Sequence, residues 1–106
     1  MLTLPIKKKW FDMILSGEKK EEYREIKDYW FVRFQDAIGS YDYLAFECTG
    51  VSLGFRVRFR NGYKPDSPSF DADVHLEMRT GRPEWGAEPN RLYYVLVIEG
   101  IRNGQE

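Results

Sequence analysis

The sequence predicts an α+β fold in which two helices in the N-terminal part precede a small twisted sheet or partly closed β-barrel. Three patterns carry that expectation. Apolar residues recur at helical spacing only before Gly39. Strict two-residue alternation then takes over in "FRVRFR" and "FDADVHLEMR". Near the end, "LYYVLVI" is almost continuously apolar, as a strand buried on both faces should be. With 106 residues and no repeat or linker, the chain is read as a single domain, 1–106.

Taken in order, "MLTLPIKKKWF" is basic and lacks an apolar stretch of signal-peptide length. From about Lys7 to Ser16, a helical period carries Trp10, Phe11, Ile14 and Leu15, and Gly17 is placed to stop it. Residues 18–26, "EKKEEYREI", alternate and read as a strand, against the helix preference of Lys and Glu. Asp28 reads as the cap of a second helix carrying Trp30, Phe34 and Ile38, closed by Gly39. "YDYLAFE" (41–47) reads as a short strand and "CTGVSLG" (48–54) as a loop or turn. In residues 55–60, Phe55, Val57 and Phe59 share the core face, and Arg56, Arg58 and Arg60 the other. Asn61-Gly62 opens a loop that Pro65 and Pro68 lengthen. Residues 70–79 turn Phe70, Ala72, Val74, Leu76 and Met78 one way and Asp71, Asp73, His75, Glu77 and Arg79 the other. Residues 80–90 form a Gly/Pro-rich loop before the last strand.

Composition narrows the function. A net charge of −1 argues against general coating of nucleic acid, so any anion binding must be local. Cys48 has no partner for a disulfide or a cysteine-based zinc site, and a cytoplasmic, reducing location is expected. No apolar run is long enough for a transmembrane helix, and no membrane partner is expected. The chain lacks a Gly-rich phosphate loop, a G-x-S-x-G elbow and an H-E-x-x-H motif, so no cofactor is expected.

The arginine stripe has two readings. Guanidinium forks suit phosphates. Equally, the stripe can face the acidic side of the next strand, each cross-strand pair contributing roughly 0.2–1 kcal/mol. That neutralised ladder is favoured for Arg56 and Arg58, because strand pairing supplies partners without a ligand. Arg60, at the strand end beside Asn61-Gly62-Tyr63, is the one placed to reach a ligand. Asp71, Asp73, His75 and Glu77 could be drawn as a metal site. However, neighbours on one strand face stand roughly 6.5–7 Å apart, which is wide for one ion, so no metal is expected. In "SGEKKEEYREIK", alternation sets Lys20, Glu22 and Arg24 on one face and Lys19, Glu21 and Tyr23 on the other. Such charges form either a solvated ladder or the lining of a cleft, and pattern alone favours the ladder. Trp85, next to Gly86, is either a core anchor or a stacking platform that a flat ligand approaches closely.

"LPIKKKWFDMILSGEKKEEYREI", "FRNGY" and "PEWGAEP" before the final strand together resemble the ASCH-domain family of the PUA-like superfamily, small β-barrels associated with RNA. The family pattern G-x-K-[T]-x-E-x-R is matched by Gly17, Lys19, Glu22 and Arg24, with Lys20 in place of the usual Thr. The "NGY" and "EWG" segments look like the branch common in Gram-positive bacteria and their phages. The resemblance implies a cleft between the helix-strand unit 7–27 and the loops 60–67 and 82–89, binding RNA or a nucleotide-like ligand. Lys19, Glu22, Arg24, Arg60, Asn61, Tyr63 and Trp85 are its expected contacts. Some relatives are hydrolases of N4-acetylcytidine or RNA. The deacetylating group uses a Lys and a Thr three residues later, but here Glu22 stands where that Thr would be. A hydrolytic alternative would therefore use Glu22 as general base and Lys19 as oxyanion stabiliser.

Overall fold

Leu2, Leu4 and Ile6 alternate with polar or imino residues, and this segment forms an edge strand, β1 (Leu2–Ile6), that the sequence reading did not include. Leu4 and Ile6 are buried, while Pro5 is tolerated because an edge strand need not donate every backbone N–H to a ladder. The structure, a computed structural model, describes residues 1–102. Helix α1 (Lys8–Leu15) turns Phe11 and Ile14 inward and ends where Gly17 adopts φ +87°. Strand β2 (Glu21–Glu25) lies where alternation puts a strand. Helix α2 (Asp28–Ile38) buries Phe34, but Lys27 is its cap residue and no side chain caps it. Asp28 is instead the first helical residue, where its charge faces the positive end of the helix dipole.

Residues 41–47 are not a strand. They belong to helix α3 (Ser40–Thr49), which also takes in Cys48 and Thr49 from the expected loop. Its buried residues, Tyr43 and Phe46, are three apart, the spacing that faces one side of a helix. Among the described residues there are therefore three α-helices rather than two. Three longer strands follow: β3 (Phe55–Asn61), β4 (Ser69–Thr80) and β5 (Leu92–Arg102), with a short 3-10 turn at Pro83–Trp85.

The strands make one mixed sheet of five in the order β1-β3-β4-β5-β2, curled into a half-barrel. Only β1 and β3 pair in parallel; the other neighbours are antiparallel. The concave face holds the main core, where Leu4, Phe34, Val57, Phe59, Leu76 and Leu96 are fully buried. Strand β5 is buried on both faces over Tyr93–Leu96, the part of its apolar run that the composition places in a core, while Leu92 is exposed. Tyr94 and Leu96 enter the main core, and Tyr93 and Val95 join Tyr23 and Ala87 in a smaller cluster. The Tyr43 and Tyr94 hydroxyls, 2.6 Å apart, tie α3 to β5 inside the core. Met78 is the exception on its strand face, being exposed.

On the convex face two arginines of the stripe, Arg56 and Arg58, are neutralised. Arg56 stands opposite Asp73 and Arg58 opposite Asp71, with ion pairs of 3.3 and 2.8 Å. Asp73 also accepts from Arg102, and Glu77 from Arg79. His75 lies 2.7 Å from Glu77 and 3.5 Å from Glu99. Among the described residues no helix is long and apolar enough to cross a membrane.

Candidate functional site

Strand β2 is the second edge of the sheet, and its alternation aims Glu22 and Arg24 at the concave side. Lys19 lies two residues before the strand begins and escapes its alternation, so it does not share a face with Glu21 and Tyr23 as expected. Its backbone N–H donates to Met13 O at 2.9 Å, and its side chain runs inward to meet Glu22. There the ammonium of Lys19, a residue only 1% exposed, lies 3.1 Å from Glu22 Oε1 and donates to the Trp85 carbonyl. The Trp10 and Tyr23 rings flank it, with centroids 4.5 and 5.0 Å away. Burial lowers the Lys19 pKa from its ordinary value, and the Glu22 carboxylate opposes that shift.

Glu22 extends the chain of charges outward. Its Oε2 accepts from Arg24 Nη1 at 2.6 Å. The same Nη1 donates to Tyr23 O, and Nη2 reaches Pro5 O at 3.3 Å. Because Pro5 belongs to β1, this last bond joins the two edges of the curled sheet. The guanidinium also lies over Trp30, 5.1 Å from the ring centroid.

Arg24 forms part of the wall of an open cleft of about 740 Å³. Lys7, Lys8 and Arg24 give the cleft its charge, Tyr29, Trp30 and Tyr63 its aromatic surface, and Asn61 an amide; none of its lining residues is acidic. Lys8 also pairs with Asp12, on the next turn of α1. The first turn of α1 has no acidic residue and no side-chain cap, so nothing there offsets the positive end of its dipole. Gly62 N–H donates to Ile6 O at 3.1 Å and fixes the 61–63 segment against β1.

Of the expected contacts, Arg24, Asn61 and Tyr63 line this cleft. Lys19 and Glu22 lie behind Arg24, connected to it through the ion pairs. Arg60 is half-buried beside Asn61 but is not among the lining residues, and it makes no ion pair among the described residues. Trp85 joins the cluster through its carbonyl, while its indole is half-buried with Arg82 over the ring. The flat group approaching Gly86 is Trp10, since a Cβ at Gly86 would stand 3.1 Å from that ring. Lys7, Lys8, Tyr29 and Trp30 were missed as contacts. The basic run "KKK" was the available signal, but the edge strand that brings it beside Arg24 was not recognised.

Comparison of the chain with family models, with curated proteins and with solved structures finds no match.

Proposed function

We propose that this protein is a binding module for single-stranded RNA or a nucleotide-sized ligand, of the PUA-like, ASCH-domain kind that its sequence resembles. The observation that supports this reading is the acid-free cleft: three cationic and three aromatic side chains gathered in a chain whose net charge is −1. Single strands are read by stacking splayed bases on aromatic rings while cations hold the phosphates, which needs local rather than global positive charge. Tyr63, 85% exposed at the rim, is available for stacking, and Trp30 is backed by the Arg24 guanidinium. Arg24 arrives already oriented, so little side-chain entropy is lost when it meets an anion.

The hydrolytic alternative is less favoured. It asks Glu22 to take a proton, yet both of its oxygens already engage cations, and neither Glu22 nor Lys19 lines the cleft.

Fluorescence anisotropy of labelled hexauridylate tests the reading. Wild-type protein is expected to bind, and Arg24→Ala to weaken binding about tenfold or more, since hydrogen bonds to charged groups contribute about 1.5–3 kcal/mol. The salt slope should fall by about 0.7, the single-strand value for one phosphate contact. Absence of binding at low salt, or an unchanged affinity in Arg24→Ala, would contradict it. Intact hexauridylate after prolonged incubation favours binding over hydrolysis.

A further inference from the structure

We propose that Glu22 and Lys19 serve the cleft without touching its ligand: Glu22 positions Arg24 to receive a phosphate group, and Lys19 holds Glu22. This inference rests on the binding function proposed above and assigns separate roles within that site.

Geometry separates the three charges by depth. Lys19 is sealed, its side chain 0% exposed, while those of Glu22 and Arg24 are 8% and 13% exposed. Only Arg24 lines the cleft. Glu22 divides its carboxylate between the two cations, Oε1 toward Lys19 and Oε2 toward Arg24. The carboxylate therefore cannot turn toward the cleft without breaking an ion pair in a buried setting. Arg24 carries five N–H donors. Nη1 is committed to Glu22 and the Tyr23 carbonyl, and Nη2 gives one hydrogen to Pro5 O. The Nε–H and the second Nη2 hydrogen have no partner among the described residues. A planar group with two donors to spare suits the oxygens of a phosphate. Lys19 also binds the Trp85 carbonyl, so the 80–90 loop, Glu22 and Arg24 form one connected unit.

A double-mutant cycle with hexauridylate reads the coupling. Glu22→Gln should weaken binding several-fold in the wild-type background and leave it unchanged in an Arg24→Ala background. Lys19→Met should weaken binding in the same Arg24-dependent way. A Glu22→Gln loss of equal size in both backgrounds would mean that Glu22 meets the ligand itself, overturning the inference; so would unaltered affinity in folded Glu22→Gln. Should Glu22→Gln fail to fold, Glu22→Asp keeps the charge at a shorter reach, and the same Arg24-dependent loss is expected.

A ligand-free readout separates this inference from the binding function. In wild-type protein the Arg24 Nη protons should give resolved NMR signals, because the Glu22 and Pro5 bonds hinder guanidinium rotation. In Glu22→Gln they should average. Wild-type protein that binds no hexauridylate yet shows this difference would remove the binding function and leave the positioning intact. Averaged signals in both proteins would remove the positioning.

Discussion

Lys19 is the side chain on which the site's stability turns. A lysine is rarely sealed from water unless paired, and here it has a carboxylate, a carbonyl and two aromatic faces. Removing one partner of a buried pair typically costs about 3–5 kcal/mol because the other charge is stranded. Lys19→Met should therefore lower the urea midpoint, by less than that full cost because Arg24 still pairs with Glu22. Lys19→Met combined with Glu22→Gln should recover part of that loss, because no carboxylate is then left beside an apolar side chain. At this scale the sequence was half informative. The E-x-R spacing placed Glu22 and Arg24 on one face, and the structure brings them together. Lys19 could not be placed by alternation, since the strand starts only at Glu21. The indole of Trp85 was singled out, but the atom that matters here is the backbone carbonyl, to which side-chain identity is no guide.

Among the elements, the strands with one exposed face were legible because period two is unambiguous there. Their cross-strand ion pairs were legible too, since the register follows from sequential antiparallel pairing. Two elements were not. "YDYLAFE" offers aromatics both two and three residues apart, so both periods fit. What decides for a helix is tertiary: Tyr43 meets Phe31 of α2 and Tyr94 of β5. "LTLPI" alternates over only five residues and carries a proline, which its edge position tolerates. The loop before β5 makes a prediction of its own. A Cβ on Gly81 would overlap the Tyr23 ring and approach the Ala87 methyl to 2.8 Å. Gly81→Ala should thus destabilise the protein by about 1–3 kcal/mol through overpacking. The Tyr23 ring also flanks Lys19, so binding should weaken as well. Urea denaturation and hexauridylate titration of the variant check both effects.

Over the whole molecule, the convex face carries cross-strand ion pairs, whereas the cleft is lined by cations and by no acid, the Lys8 and Arg24 partners Asp12 and Glu22 lying outside its lining. That contrast also sets the response to acid. Glu21 is half-buried, which raises its pKa, but hydrogen bonds from Arg79 and Tyr23 outweigh the burial and leave it below its ordinary value. Hydrogen bonds from Arg79 and His75 lower Glu77, and one from Arg58 lowers Asp71. A carboxyl whose folded pKa is depressed contributes stability above its unfolded value and loses it as pH falls through the folded one. Stability should therefore begin to fall near pH 4.5 and continue falling below it. Arg79→Ala removes a donor from both Glu21 and Glu77, and should make that decline shallower in urea midpoints measured between pH 6 and 3.

NMR titration of labelled protein with hexauridylate shows whether the cleft, as proposed, receives a single-stranded nucleic acid. Saturable shifts are expected at the Trp30 indole N–H, at the amides of residues 61–63 and at the Arg24 side chain. Shifts confined to the arginine ladder of the convex face, or none at any residue, would contradict the proposal.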